Sequence, residues 1–437
     1  MKHRNILFAV AFYLLSVAPV FLMGQTPYVK QIVSVNSGKF EFSPPYQDYV
    51  TVQSYLPVNG EGNLIQTVFT QSVQDIITKG DIAYISAQDS IIKINLTTYQ
   101  RVAAIADSGL SKLLLFGDKL IVTKQYPVSA YFAEVLRADD LSLVASIPNI
   151  PGDCGGVVAV GDSVYIVVNG GWMGTEGKIA VVETSGWTVS RIINLGTSAV
   201  GSMNIYLYNN QLFIINKSPY SAPDAGSISI YNLNNHSFEN VNLERNVGSG
   251  AGIDGSLLYF GFDYGIGSFN MNSRKIEDSA VIADPGSAMF RYITSATIDT
   301  LNHLIYVNVG DYVSPGNCMV STLTGDSVTS FATGISTDGI AVDYRVSAAG
   351  VDYPDEDATS FSLHPNPATD FITLKLSHPE DIREIRLTDI MGRNLSGILT
   401  STHDGETILD VSHLPSGVYA VIVTLMNRSV TGKFLRK

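Results

Sequence analysis

Cysteine, tryptophan and histidine are scarce in this 437-residue chain, at two, two and seven copies. Two cysteines, Cys154 and Cys318, are no disulfide framework, and a core of this size needs no staple. Between residues 29 and 344 the only histidines are His236 and His303, both in polar turn sequences. A Ser-His-Asp triad would need one of them beside a nucleophile, and no Gly-x-Ser-x-Gly elbow accompanies them. His-Glu-x-x-His is absent too, which excludes a zincin. No catalytic residue, metal site or cofactor is therefore expected. Charged residues make up only 15% and hydrophobic residues 45%, the balance of a chain with a sizeable core.

Basic residues are also in deficit, giving a formal net charge of −13. Such a surface repels nucleic acid and anionic membranes, and no nucleic-acid partner is expected. Only the N-terminus carries a long apolar run. Lys2 and Arg4 precede Ile6 to Met23, then Gly24-Gln25, the layout of a secretory signal peptide spanning 1–24. An uncleaved anchor is the competing reading, against which Pro19 and the C-terminal tail argue. No later segment approaches the roughly 18 apolar residues of a membrane helix, so no span is expected once the signal is removed. Export would permit a disulfide.

What is abundant is glycine, 38 copies, and tyrosine, 22. A weak unit recurs from about residue 29 to 344. Its mark is a turn followed by a short apolar strand, as in Gly80-Asp-Ile-Ala-Tyr84, Gly117-Asp-Lys-Leu-Ile121 and Gly161-Asp-Ser-Val-Tyr165. Degenerate copies begin at Asn210, Gly255 and Asn302. Copies every 37 to 48 residues, each divisible into four short strands, are the spacing of propeller blades. Innermost strands begin near residues 75, 112, 157, 203, 251 and 293. A seventh, Gly339-Ile-Ala-Val-Asp343, has no unit after it, and three strands before residue 70 lack an inner partner. Joining the two removes an open edge. The predicted fold is all-β: a seven-bladed β-propeller over 25–344, closed by its N- and C-terminal strands, then a linker over 345–360 and a small Ig-like β-sandwich over 361–437. Six or eight blades follow if one repeat is misread. Cys154 and Cys318 then fall in the fourth and seventh blades, across the ring, and unpaired thiols are expected.

Chemistry-bearing clusters read mostly as turns. Gly248-Ser-Gly-Ala-Gly252 lacks the Lys and helix of a phosphate loop and reads as an inter-blade turn. Asp139-Asp140 reads as a surface turn; a glycosidase would need two carboxylates across one cleft. Aromatics in the loops between second and third strands are the positive signal. Tyr46, Tyr126, Tyr131, Phe132, Trp172, Tyr220, Tyr264 and Tyr312 are expected on one rim as the ligand-binding set, with Phe40 and Phe42 beside them. For any single one, packing within its own loop is the competing reading.

The tail carries Phe361-Ser-Leu-His-Pro-Asn-Pro, then Asp389-Ile-Met-Gly-Arg393, then Leu414-Pro-Ser-Gly-Val-Tyr419, and a basic end from Lys433. In this order the motifs resemble the type A sorting domain of the type IX secretion system of Gram-negative bacteria. The resemblance implies that Pro365, Asn366, Pro367, Gly392, Arg393, Gly417, Tyr419 and Lys433 form the sorting signal. It also implies the secretion machinery as a partner, and a cell-surface or extracellular destination. The repeat unit resembles YVTN-type propellers, more closely the seven-bladed surface propellers of gut and oral anaerobes. At its most specific that resemblance implies corrinoid capture for a TonB-dependent outer-membrane receptor. Those relatives are usually lipoproteins, whereas this chain has no lipid-bearing cysteine near its signal. The expected function is a non-enzymatic secreted or surface binding protein, with a surface-protein ligand or adhesion as the alternative and a glycan-active enzyme third.

Overall fold

The structure is a computed structural model that describes residues 27–41, 47–128, 130–346, 361–376, 382–389, 394–395, 400–403, 406–425 and 429–437. The expected signal peptide over 1–24 and most of the expected linker lie outside the described residues. The chain divides into two compact units, with the break between Ser347 and Ala348.

The first unit contains, among the described residues, seven four-stranded antiparallel sheets. Each is a blade whose strands follow chain order from inside to outside, except the one that closes the ring. In that blade, numbered 1, the innermost strand Thr337–Val346 pairs with Pro27–Asn36, followed by Val50–Leu56 and Glu61–Val68. The innermost strands of blades 2 to 7 are Asp75–Lys79, Leu110–Phe116, Cys154–Val160, Ser202–Tyr208, Val247–Asp254 and Tyr292–Asp299. Each touches the next, and the last touches Thr337–Val346, so the ring is complete.

Packing explains why short apolar runs suffice. Second strands such as Ile82–Ser86 and Gln211–Asn216 are buried on both faces and therefore read as continuous rather than alternating. Seven apolar clusters result, one between each pair of neighbouring blades. The cluster joining blades 7 and 1 contains Ile32, Tyr306, Cys318 and Ile340, and beside it Tyr55 stacks on Phe331 at 3.9 Å. Cys154 belongs instead to the cluster between blades 3 and 4. Both thiols are free and buried, and burial raises both pKa values.

A polar latch fastens the closure. Asp343, fully buried, accepts from Gln31 Nε2 at 2.8 Å and from Arg345 Nε and Nη2 at 2.5 and 2.9 Å. Gln31 also donates to the Leu96 carbonyl at 2.9 Å, tying blade 1 to blade 2. A carboxylate this deep is tolerable only with such partners.

The second unit has two further four-stranded sheets. One orders Phe361–His364, Phe371–Leu376, Glu406–Asp410 and Thr400–His403. The other orders Asn394–Leu395, Ile382–Asp389, Gly417–Leu425 and Ser429–Arg436. Their shared core includes Ile372, Leu374, Leu409, Val421, Val423 and Phe434, as in a small Ig-like sandwich. No helix among the described residues is long and apolar enough to cross a membrane.

One expectation fails here. Gly248-Ser-Gly-Ala-Gly252 is not an inter-blade turn but lies within the innermost strand of blade 6. Glycine is a turn signal by composition, yet here the missing side chains are a packing requirement. A Cβ on Gly250 would stand 2.2 Å from the Tyr206 hydroxyl, and Gly248 and Gly261 press backbone against backbone.

Candidate functional site

Closing seven innermost strands in a ring leaves a central channel. It holds a cavity of about 570 Å³ to which the innermost strands of all seven blades contribute. Each innermost strand places a residue on this wall: going round from blade 1, Asp338, Asp75, Lys112, Gly156, Asn204, Gly250 and Ser295. In blades 2, 3, 4, 5 and 7 it directly precedes an apolar residue paired with the second strand. On the innermost strands the charged wall residues are thus confined to three neighbouring blades.

The polar ring residues bind the blades together. Asp75 accepts from the Leu113 backbone N–H at 2.9 Å and pairs with Lys112 at 3.3 Å. Lys112 also donates to the Gln74 carbonyl at 2.9 Å. Asn204 Oδ1 accepts from the Gly250 N–H at 3.0 Å. Asp338 accepts from Ser37 Oγ at 2.5 Å. Burial pushes the Asp338 carboxyl up to about 6, against the lowering effects of Ser37 and Lys112. Tyr206 is raised by burial and then by the charge of Asp75, which reaches it from blade 2.

A second lysine enters from outside the ring. Lys217 follows the second strand of blade 5, with its backbone N–H bonded to the Gly201 carbonyl at 2.9 Å. Its side chain lines the cavity and is exposed to the cavity's solvent. Partial desolvation by the surrounding protein lowers its pKa, and the like charge of Lys112 lowers it further.

The aromatic set divides. Tyr264 and Tyr312 line the cavity, joined by Tyr292, whose ring centroid is 6.0 Å from that of Tyr312. A smaller hollow between blades 1 and 2 adjoins at Tyr312 and Asp338 and includes Phe40. Tyr126, Tyr131 and Tyr220 are exposed on their loops but do not line either cavity. Phe132 packs against the core between blades 3 and 4. Trp172 sits in the short 3-10 turn Gly171–Met173 of the blade 4 loop; Tyr46 and Phe42 lie outside the described residues. Sequence reasoning missed Asp75, Lys112, Lys217, Asp338, Asn204, Tyr206 and Tyr292. For Asp75, Lys112, Asp338 and Asn204 the only signal was recurrence on the innermost strands; Lys217, Tyr206 and Tyr292 had none.

Elsewhere, turn residues serve turns. His236 meets the Tyr231 hydroxyl at 2.9 Å, and His303 pairs with Asp254 at 3.1 Å. Asp139 and Asp140 both engage Arg137 in an exposed turn, and that guanidinium holds Asp139 down to about 2. No group of three or more metal-ligating side chains occurs among the described residues. Beneath the Tyr126–Phe132 loop, Lys124 is buried between Asp107 at 2.5 Å and Glu134 at 2.7 Å.

In the C-terminal unit, Asn366 clamps the final strand: its Nδ2 donates to the Lys433 carbonyl at 3.1 Å and its Oδ1 accepts from the Leu435 N–H at 2.9 Å. Pro365 and Pro367 flank it, exposed. Tyr419 stacks on Phe434 and donates to the Pro415 carbonyl at 2.7 Å, closing the turn before Gly417. Lys433 is exposed, whereas Gly392 and Arg393 lie outside the described residues.

Comparison with known proteins agrees with this tail. Residues 362–437 match the secretion system C-terminal sorting domain family. This domain marks proteins exported by type IX secretion, so the chain interacts with that machinery and reaches the cell surface or the extracellular space. No curated protein matches the chain. Among solved structures, the RRP9 WD40 repeats are 10% identical with a TM-score of 0.49, covering 78% of this chain and 94% of that one. BamB from Moraxella catarrhalis is 12% identical with a TM-score of 0.40, covering 89% and 99%. At these scores neither bears on function, and the fold rests on the sheet order and ring contacts above.

Proposed function

We propose that the protein is a non-enzymatic secreted or surface binding protein that holds a small polar ligand at the mouth of the propeller channel. The observation that carries this is the cavity itself: about 570 Å³, walled by all seven blades, within the usual range of roughly 300–1,000 Å³ for ligand sites. Polar groups from several blades converge there, and Tyr264, Tyr292 and Tyr312 supply flat faces with hydroxyl handles. The outlying Tyr126, Tyr131 and Tyr220 act as secondary contacts for a larger ligand.

No residue of the wall favours a corrinoid over another polar molecule; that ligand, and a TonB-dependent receptor as its recipient, rest on the repeat's YVTN-type resemblance. A protein partner is the second reading, favoured by the 82% and 95% exposure of Tyr126 and Tyr220. The glycan-active alternative has one supporting group, Asp338, whose carboxyl titrates near 6. The test is thermal unfolding of the full protein against cobalamin, cobinamide and a glycan panel. A ligand bound to the folded state raises the midpoint by mass action. The expected result is a shift abolished by Tyr312→Ala but kept in Tyr220→Ala. The reverse pattern moves the site to the outer loops, and glycan cleavage lost in Asp338→Asn establishes an enzyme.

A further inference from the structure

Among the described residues, four buried side-chain polar atoms have no hydrogen-bond partner: Asp107 Oδ2, Ser34 Oγ, Asn308 Oδ1 and Thr333 Oγ1. The first belongs to the Lys124 ion-pair site. The other three lie on the two blades that close the ring. Ser34 is on the second strand of blade 1, Asn308 on the second strand of blade 7, Leu304–Gly310, and Thr333 on its outermost, Ser327–Ile335. They are 1%, 0% and 4% exposed, so bulk solvent does not serve them. A buried donor or acceptor left unpaired loses its hydration without replacement, and folded interiors seldom leave three in one place.

Strand register brings the three to one layer of the seam. Ser34 alternates with Ile32 and Asn36, so all three face blade 7. Asn308 is two residues from Tyr306 and faces blade 1 with it. Ile32 pairs with Tyr55, which stacks on Phe331, and Asn36 Oδ1 accepts from the Gly334 N–H at 3.1 Å. Ser34 stands between Ile32 and Asn36, and Thr333 between Phe331 and Gly334, so they share a level. Asn308 is tied to the same layer: its Nδ2 donates to Ser295 Oγ at 2.9 Å, which donates to the Thr337 carbonyl at 2.6 Å. Thr337 Oγ1 in turn donates to Asn36 Oδ1 at 2.7 Å. Asn36 Nδ2 is spent on Thr51 Oγ1 at 3.0 Å and Gln53 Oε1 at 3.2 Å. Asn36 is thus saturated and cannot serve the remaining three atoms. Beside Thr333 stands Gly316, where a Cβ would lie 3.1 Å from Thr333 Oγ1; the missing side chain leaves that side of the hydroxyl clear.

We propose that this seam encloses a short file of structural water running from Asn308 Oδ1 past Ser34 Oγ to Thr333 Oγ1. Water fits the set: Asn308 offers an acceptor, and each hydroxyl can both donate and accept. All three groups are neutral, which suits water rather than an enclosed ion. Asn308 and Thr333 are separated by the third strand, Pro315–Thr322, a span of about 10 Å over two strand spacings, so more than one molecule is needed. The closing strand pair is then pinned by polar groups at both ends, by Asp343 with Gln31 at one and by this hydrated layer at the other.

A high-resolution crystal structure of the full protein tests this directly. The expected result is ordered solvent density within hydrogen-bonding distance of Ser34 Oγ, Asn308 Oδ1 and Thr333 Oγ1. A dry seam, or the three atoms bonded directly to protein groups, overturns the proposal; density with the short, many-oxygen coordination of a cation overturns its identification as water. Thermal unfolding of Ser34→Ala, Thr333→Val and the double variant gives an independent reading. Hydroxyls bonded to water make each single change lower the melting temperature, and a shared file makes the double loss smaller than the sum. Single changes that raise it show hydroxyls buried without partners, and strictly additive losses show no shared file; either result refutes the reading.

Discussion

Replacing Asp338 by Asn should make the propeller more stable, and by an amount that depends on pH. The carboxyl faces the channel, bonded to Ser37, with burial raising its pKa from an ordinary 3.8 to about 6. A folded-state pKa above the unfolded one means the folded chain holds the proton more tightly. The associated stability is fully present below about pH 4 and is lost as pH rises through 6. At 1.36 kcal/mol per unit, a shift of about two units sets an upper bound of about 3 kcal/mol. Asp338 keeps some solvent contact, so about 1–2 kcal/mol is the realistic loss. Asn retains an acceptor for Ser37 and never ionises. Asp338→Asn and wild type should therefore melt nearly together at or below about pH 4, diverge as pH rises from about 4 to 6, and keep a constant gap above about pH 7, at roughly 2–4 °C per kcal/mol. Thermal unfolding at half-unit steps from pH 4 to 8 reads this directly. A gap that stays constant across that range refutes the reasoning, because a pure packing effect has no reason to titrate.

Other perturbations probe separate parts. Lys124→Met leaves Asp107 and Glu134 without their shared cation in a buried site, where burial already raises Asp107; the expected loss is about 3–5 kcal/mol by urea unfolding. Gly250→Ala drives a methyl against the Tyr206 hydroxyl and should cost about 1–3 kcal/mol while narrowing the channel, measurable as weaker ligand binding together with a lower melting temperature. Asn366→Ala removes two hydrogen bonds to the final strand; it should destabilise the sorting domain by about 1–3 kcal/mol and reduce the amount exported, with the propeller's own transition unchanged.

Much of the fold was legible because each blade repeats a strong local signal. The turn before each second strand, as at Gly80, Gly117 and Gly161, recurs with the blade period, and second strands buried on both faces cannot hide among polar residues. The ring closure was legible from its leftovers, since Gly339–Asp343 without successors and Lys30–Val35 without a predecessor are complementary halves. The glycine run at 248–252 misled because composition reports conformational freedom, whereas this strand needed absent side chains to admit Tyr206. The channel wall was illegible for a different reason. It takes about one residue per blade, and those residues, Asp338, Asp75, Lys112, Gly156, Asn204, Gly250 and Ser295, share no chemistry. Only their place on the innermost strands unites them, and that place is fixed by pairing across strands that a linear reading aligns loosely. Of the expected rim aromatics Tyr264 and Tyr312 line the cavity, whereas loop length and direction leave Tyr126, Tyr131 and Tyr220 away from it.

Most direct for the claim that this is a channel-binding protein is a crystal structure of the full protein soaked with the tightest ligand found by thermal shift. The account predicts ligand density inside the ring and in contact with Tyr312. Density confined to the loops at Tyr126–Phe132 or Tyr220, with the channel holding only solvent, would contradict it.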